Sequence, residues 1–195
     1  MLFKDLKDKN MSEANKHENL NNYLVWIDLE MTGLNAQKDV ILEIATIITD
    51  NALNEITVGP EIVINHQEKY LQSMDDWVFK IHTKSGLIQA VQNSKITTTQ
   101  AQEQTLNFLK QFGKAGEMLL CGNSVWQDKQ FLKVHMPAVH AFFHYRIIDV
   151  STIKELMRRW YPTLPEFEKK DTHRAATDIR ESIDELRYYR KNIFV

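Results

Sequence analysis

The chain has 195 residues, 43% hydrophobic and 26% charged, which is typical of one globular domain with a sizeable core. Its single cysteine, Cys121, excludes a disulfide framework and a cysteine-based zinc site and favours a reducing, cytoplasmic compartment, and no apolar run approaches the length that spans a membrane. The formal net charge of −2 argues against the broad basic surface with which proteins hold long nucleic acid, so either no nucleic acid is bound or only a piece with few phosphates.

Residues 1–22 precede the first apolar run and mix lysines with acidic residues. They lack the apolar segment of a secretion signal and the arginine-rich, acid-poor character of a mitochondrial transit peptide. We predict that 1–22 is a disordered leader. Residues 23–195 contain no internal repeat and no Pro/Gly-rich linker, and we predict that they form a single domain.

Three apolar segments separated by short polar turns predict three consecutive strands, at 23–27, 40–48 and 56–64. Gly59 and Pro60 in the third segment indicate a bulge or a sheet edge. Strands that follow one another through short turns predict an antiparallel meander.

Helical patterning follows the third strand. The predicted elements are short helices within 67–93, a helix at 99–112 capped by Thr99, a strand at 118–121, a helix at 128–135 stopped by Pro137, a strand at 145–149, a helix at 152–160 and a last helix at 173–191. Three strands followed by alternating helices and strands predict an α/β fold. Its mixed five-stranded sheet has antiparallel first three strands and is flanked by helices.

Two carboxylates, Asp28 and Glu30, stand at the carboxyl end of the first predicted strand. Residues two apart on a strand point to the same face, so these side chains lie side by side. Two like charges about 4 Å apart repel by roughly 4 kcal/mol at an effective dielectric constant of about 20. Such a pair of carboxylates is therefore stable only if a proton or a cation lies between them. A divalent metal site is one hypothesis, and a solvated strand end before the turn at Thr32 and Gly33 is the other.

Three later residues supply possible partners for this pair. Asp128 follows a predicted strand at the sheet edge where active sites of α/β proteins gather, although an ordinary helix N-cap is an equal alternative.

His173 and Asp178 are five residues apart, which on a helix is about 140° of rotation. They can share a site only if His173 lies at the helix start or in the preceding loop. Asp178 flanks an apolar stripe, so it is either a solvated boundary residue or points at the carboxylates.

In chain order these residues resemble the catalytic pattern of the DEDD exonuclease superfamily, in its branch with His-x-x-x-x-Asp. Six segments narrow the resemblance to the oligoribonuclease family, namely 26–34, 74–77, 121–124, 144–146, 149–152 and 178–182. The resemblance covers nearly everything after residue 22. It implies a ribonuclease H-like fold and a 3′-to-5′ exoribonuclease that degrades very short RNA to nucleoside 5′-monophosphates. Dinucleotides are the main expected substrates, including the linear products of cyclic-dinucleotide breakdown.

The resemblance also implies roles for individual residues. Asp28, Glu30, Asp128 and Asp178 match the metal-binding carboxylates, and His173 matches the general base. Four carboxylates suit two hard divalent cations, Mg²⁺ or Mn²⁺. Leu34 matches a wedge between the bases, Trp77 a base-stacking residue, Ser124, Arg146 and Ser151 a cap on the 5′-phosphate, and His82 and Tyr145 other positions at the substrate.

A cap on the 5′-phosphate closes the site after two nucleotides, which would explain the absence of an extended basic surface. The expected substrates are RNA of two to about five nucleotides, and the preferred length within that range is left open. In the family a second subunit completes the site, and a homodimer is therefore expected in which Tyr145, Arg146 and Ser151 act across the interface. Plain core or dimer packing is the alternative for Trp77 and Tyr145. Two other functions are open: a DEDD exonuclease for longer RNA or DNA, and a non-catalytic protein that binds short oligonucleotides.

Overall fold

Residues 22–169 and 173–194 are described by the structure, which is a computed structural model. The predicted leader at 1–22 lies outside the described residues apart from Asn22. Within the described part of the chain, no helix is both long enough and apolar enough to cross a membrane. That 23–195 forms a single domain stays a prediction.

A mixed sheet of five strands lies at the centre of the fold. Its strands are β1 (Tyr23–Met31), β2 (Ile41–Asp50), β3 (Glu55–Val63), β4 (Met118–Gly122) and β5 (Phe143–Asp149), in the order β3-β2-β1-β4-β5. The pairs β1–β2 and β2–β3 are antiparallel, whereas β1–β4 and β4–β5 are parallel. The predicted mixed sheet and its antiparallel first three strands are confirmed. Gly59 and Pro60 lie on the edge strand β3, where a missing backbone N–H is tolerated.

Helices surround this sheet. Those of the described residues are α1 (Glu68–Gln72), α2 (Asp76–Lys84), α3 (Leu87–Asn93), α4 (Thr98–Leu109), α5 (Trp126–His135), α6 (Pro137–Phe142), α7 (Val150–Trp160) and α8 (Ala175–Asn192). The short helices predicted within 67–93 are α1, α2 and α3.

Local chemistry moves two helix boundaries away from the predicted ones. Thr97 caps α4 instead of Thr99, because Gln100 completes a capping box: the Thr97 N–H donates to Gln100 Oε1 at 2.9 Å and the Gln100 N–H donates to Thr97 Oγ1 at 3.2 Å. This helix ends at Leu109, before its predicted end. Pro137 begins the unpredicted helix α6, because proline in a first helical turn loses no hydrogen bond.

Apolar side chains cover both faces of the sheet. On one face, Val25 and Ile27 of β1 belong to a buried cluster with Phe131 of α5. On the other face, Trp26 of β1 belongs to a cluster with Ile183 of α8. Burying a side chain of this size stabilises the fold by about 1.5–3 kcal/mol, so these layers hold α5 and α8 against the sheet.

The alternation along β1 decides where its two carboxylates point. Trp26 faces α8, and its indole N–H donates to Thr49 Oγ1 at 3.0 Å. Asp28 and Glu30 follow at steps of two residues and therefore lie on the same face, at the carboxyl end of the strand. Helix α8 begins at this end, where the Ala175 N–H reaches β2.

Candidate active site

Three carboxylates meet at the carboxyl end of β1. One oxygen each of Asp28, Glu30 and Asp178 lie within 4.8 Å of one another. Glu30 is only 8% exposed, and the other two side chains are half-buried. A donor set made only of carboxylate oxygens at this spacing suits a hard divalent cation such as Mg²⁺ or Mn²⁺. The structure therefore brings together three of the four acidic residues that are predicted from the sequence to bind metal.

Asp128 approaches the cluster from the first turn of α5. Its side chain is buried, and its Oδ1 accepts a hydrogen bond from the backbone N–H of Leu29 at 3.0 Å. Leu29 lies between Asp28 and Glu30, so this bond joins α5 to the strand end that carries them. Val125 occupies the N-cap position of α5, so Asp128 is not the helix cap that the alternative interpretation required.

The environment of these carboxylates disfavours their charged forms. Burial and the charges of three neighbouring carboxylates, that of Asp128 foremost, raise the pKa of Asp28 well above its ordinary value. Burial and three nearby carboxylates, that of Asp178 foremost, raise the pKa of Glu30 to about 8. Burial also raises the pKa of Asp128 to about 8, although backbone hydrogen bonds oppose the shift. At neutral pH the cluster therefore needs protons or cations, and its oxygen donors fit divalent cations.

His173 lies in the segment that precedes α8, and its backbone is left-handed with a φ of 51°. Asp178 lies in the first turn of the helix. This is the arrangement that the five-residue spacing requires. The His173 ring meets the Trp77 ring edge-on, with centroids 6.3 Å apart, and it lines the same cavity as Glu30.

A cavity of about 470 Å³ opens beside the carboxylates. Its lining includes the predicted substrate residues Leu34, Trp77 and His82 together with Glu30 and His173. Leu34 is 77% exposed and Trp77 is 67% exposed, so Trp77 is not a core residue of this chain. A cavity of this volume is of the size that holds small ligands.

His82 is buried and contacts the strand end that carries Glu30. Its Nε2–H donates to the Met31 carbonyl at 3.0 Å, and its Nδ1 lies 3.8 Å from Glu30 Oε2. Burial foremost lowers the pKa of His82, which keeps the ring neutral at neutral pH. Within the described residues Nδ1 makes no hydrogen bond, so His82 does not hold Glu30 in place, and its position at the substrate stays a prediction.

The loop that carries Leu34 is held by residues whose roles the sequence did not reveal. Gln127 Nε2–H donates to the Leu34 carbonyl at 2.6 Å, and the Asp39 carboxylate accepts from Thr32 Oγ1 at 3.1 Å. A Cβ at Gly33 would lie 2.6 Å from Asp39 Oδ2, so a larger residue here would displace the Asp39 carboxylate. The only sequence feature that indicates a role for Gln127 is its position next to Asp128.

The Asp149 carboxylate forms hydrogen bonds with two of the predicted phosphate-cap residues. Its Oδ1 accepts hydrogen bonds from the Ser124 N–H at 2.9 Å, the Ser151 N–H at 3.0 Å and the Ser151 hydroxyl at 2.6 Å. Ser124 is exposed and has a left-handed φ of 54°. The sequence assigned no role to Asp149, although an acidic residue two positions before a serine at a helix start is a capping signal.

Tyr145 and Arg146 form an exposed pair on β5. Tyr145 is 73% exposed, and the guanidinium carbon of Arg146 lies 5.2 Å from the centre of its ring. The Tyr145 carbonyl accepts a hydrogen bond from Lys129 Nζ at 2.6 Å. Neither Tyr145 nor Arg146 is among the described residues that line the cavity. Their action across a dimer interface stays a prediction.

Comparison with known proteins now identifies the family. Residues 25–186 match the RNase_T exonuclease family. Oligoribonuclease from Dichelobacter nodosus is 55% identical over 174 residues, which cover 89% of this chain and 96% of that relative. The chain belongs to the oligoribonuclease family. Oligoribonuclease from Vibrio cholerae is 53% identical over 172 residues, covering 88% of this chain and 95% of that protein, so the family resemblance seen in the sequence is confirmed.

Solved structures similar to this oligoribonuclease-family chain show the same fold. Exonuclease I from Methylocaldum szegediense matches with a TM-score of 0.66 and 14% identity, covering 88% of this chain and 41% of that chain. Exonuclease I from E. coli in complex with a dT13 oligonucleotide matches with a TM-score of 0.67 and 12% identity, covering 87% of this chain and 41% of that chain. This chain therefore spans less than half the length of those proteins. The likeness confirms the predicted ribonuclease H-like fold.

Proposed function

We propose that this enzyme hydrolyses RNA of two to about five nucleotides, above all dinucleotides, to nucleoside 5′-monophosphates with two divalent cations. Its membership of the oligoribonuclease family makes it a 3′-to-5′ exoribonuclease for short RNA. One observation supports the proposed substrate length and the use of cations: the carboxylate cluster lies beside a small cavity that is lined by Glu30 and His173. Linear products of cyclic-dinucleotide breakdown belong to the same substrate class.

The residues nominated for catalysis would divide the chemistry between them. Asp28, Glu30, Asp128 and Asp178 would hold the cations. Divalent cations bound there supply Lewis-acid activation of water and stabilise the charge that develops on the leaving 3′-oxygen. His173, on the cavity wall beside Glu30, would accept the proton of the attacking water, because a neutral imidazole is a suitable base near pH 7.

The cavity would receive the bases at the 3′ end of the RNA. Leu34 would lie between two bases, and Trp77 would stack on one of them. The high exposure of both side chains supports this role, because large apolar groups left open at a cavity are characteristic of binding sites. His82, which also lines the cavity, would contact the substrate beside them.

A homodimer would complete the site. Tyr145, Arg146 and Ser151 would reach the 5′-phosphate of RNA bound to the neighbouring copy, and Ser124 would contribute to the same cap. Arginine suits this task, because its guanidinium binds phosphate through two parallel hydrogen bonds. The net charge of −2 agrees with a substrate that carries few phosphates. We also propose that the enzyme is cytoplasmic, as the single cysteine predicts.

A time course on 5′-labelled RNA tests this function. We expect the dinucleotide to disappear at least about tenfold faster than a chain of about twenty nucleotides in Mn²⁺, because a charge-assisted cap contact contributes about 1.5–3 kcal/mol. EDTA is expected to abolish both reactions. Faster cleavage of the longer RNA would assign a general exonuclease, and tight binding without cleavage would assign a sequestering protein.

Trp77→Ala is expected to raise KM for a dinucleotide by about 5- to 150-fold with kcat little changed, because stacking on a base contributes about 1–3 kcal/mol. Steady-state kinetics on the dinucleotide measures this change. Trp160→Ala is the matched control, since both tryptophans are 67% exposed but Trp160 lies at the end of α7, outside the cavity lining. Equal increases in KM for both variants would contradict the stacking role.

A further inference from the structure

Glu43 and Arg174 form an ion pair beside the carboxylate cluster. Glu43 is fully buried on β2, in register with Glu30 on β1. The Arg174 Nη2–H donates to Glu43 Oε1 at 2.7 Å, and the Nε–H lies 3.2 Å from each carboxylate oxygen. The backbone N–H of Ala175 donates to Glu43 Oε2 at 3.2 Å. One buried carboxylate therefore holds both a side chain and a peptide group at the start of α8.

Arg174 stands between the proposed base and one of the proposed metal ligands. It is the N-cap residue of α8, and its carbonyl accepts hydrogen bonds from the Thr177 N–H at 2.9 Å and the Asp178 N–H at 3.0 Å. His173 directly precedes it in the chain. A shift of the Arg174 backbone would therefore move His173 and Asp178 relative to the carboxylates of β1.

His173 needs such an anchor. A left-handed backbone costs a non-glycine residue about 1–3 kcal/mol and persists only where surrounding contacts maintain it. Within the described residues, the ring contact of His173 is with Trp77, which is itself 67% exposed. An exposed side chain is a weak anchor for a backbone, whereas Arg174, one residue later, is bonded to the buried carboxylate of Glu43.

The guanidinium of Arg174 is suited to this work. Its Nη2–H also contacts Glu61 Oε1 at 3.2 Å, so the group bridges strands β2 and β3. A planar guanidinium fixes its direction through several donors, whereas a lysine ammonium is a point charge on a flexible stem. Neither Glu43 nor Arg174 is among the described residues that line the cavity.

We propose that Glu43 and Arg174 are a positioning pair that sets the location of His173 and so controls the chemical step without touching the RNA. The inference rests on the proposed function, in which His173 is the general base. A base displaced by about 1 Å loses up to about 100-fold in rate, so the pair acts on kcat. Leu34 and Trp77, the proposed base-binding residues, lie on other elements than the pair, so KM is expected to change little.

Steady-state kinetics of Arg174→Met on a dinucleotide in saturating Mn²⁺ tests the pair. We expect kcat to fall by about 10- to 100-fold while KM stays within about twofold. Arg174→Lys keeps the positive charge but loses the planar fork of donors, and it is expected to recover part of the loss. The control is Arg180→Met on the same helix, whose Nε–H donates to Glu55 Oε2 at 3.1 Å at the surface, and it is expected to keep wild-type kcat. Equal losses in both methionine variants, or a loss carried by KM, would overturn the proposal.

A double-mutant cycle with His173→Ala separates this proposal from the proposed function. If the pair acts through His173, Arg174→Met changes the residual kcat of His173→Ala by less than about twofold. A further loss of more than about twofold would instead show that the pair acts through another residue, such as Asp178, and would overturn the assignment to His173. Wild-type kcat in His173→Ala would refute the assignment of the base. Loss of activity in His173→Ala with full activity in Arg174→Met and Arg174→Lys would refute the positioning pair alone.

Discussion

Asp178→Asn is expected to lower kcat on a dinucleotide by about 1,000-fold or more. The substitution replaces an anionic ligand by a neutral amide in a group whose oxygens lie within 4.8 Å of one another. Metal ions contribute several kcal/mol of charge stabilisation to a transition state, and a loss of about 4 kcal/mol corresponds to about 1,000-fold in rate. Steady-state kinetics across a Mn²⁺ titration measures the effect and shows whether more metal restores activity.

Asp184→Asn is the matched control for this variant. Asp184 lies on the same helix, but its Oδ1 accepts from Arg187 Nη1 at 2.6 Å at the surface, so its loss is expected to leave kcat unchanged. Thermal unfolding with and without Mn²⁺ distinguishes ligand loss from misfolding: Mn²⁺ raises the Tm of the control as in wild type and raises that of Asp178→Asn less. Wild-type activity in Asp178→Asn would remove this residue from the set of proposed ligands.

The part of the site that depends on local periodicity is accessible from the sequence. A strand repeats every two residues, so the sequence alone places Asp28 and Glu30 on one face. A helix turns about 100° per residue, so His173 and Asp178 can share a site only if His173 lies at the helix start or in the preceding loop. The observed left-handed residue before α8 agrees with that requirement.

The contacts that hold these residues in place are not local, and the sequence does not reveal them. The hydrogen bond from Leu29 to Asp128 spans 99 residues, and the ion pair between Arg174 and Glu43 spans 131 residues. An acidic residue inside the apolar run of β2 is visible in the sequence as an anomaly. Its partner is not, because no spacing rule connects two elements so far apart.

Two features of the structure that were not predicted have a local capping signal in the sequence. Thr97 and Gln100 have the three-residue separation of a capping box, which selects Thr97 over Thr99 as the cap. Asp149 precedes Ser151 by two residues at a helix start, where an aspartate accepts from the backbone. In contrast, the burial of His82 depends on tertiary packing and has no equivalent signal.

Without metal, the free energy of unfolding is expected to fall by about 2 kcal/mol between about pH 7 and pH 8.5. The pKa of Glu30 is raised from 4.5 to about 8 in the folded protein, and that of Asp128 is raised to about 8. The folded state therefore holds protons that the unfolded state has already lost. Stability from this source is complete below about pH 4.5 and is lost as the pH rises through about 8.

The choice of pH window matters, because other groups act in the opposite direction. Burial foremost lowers the pKa of His66, His82 and His140, and such groups add stability as the pH rises to about 6.5, after which their effect is complete. Urea unfolding in EDTA above about pH 7 thus excludes the contribution of the histidines.

Glu30→Gln is expected to reduce this pH dependence, whereas Glu103→Gln, exposed on α4, is expected to leave it unchanged. Mn²⁺ is expected to remove the loss altogether, because cations bind the deprotonated cluster and replace the protons that it would otherwise need. A metal-free protein whose stability is flat or rising across this window would show that Glu30 and Asp128 ionise without cost. The carboxylates at the end of β1 would then need no cation for electrostatic reasons, whatever the activity measurements show.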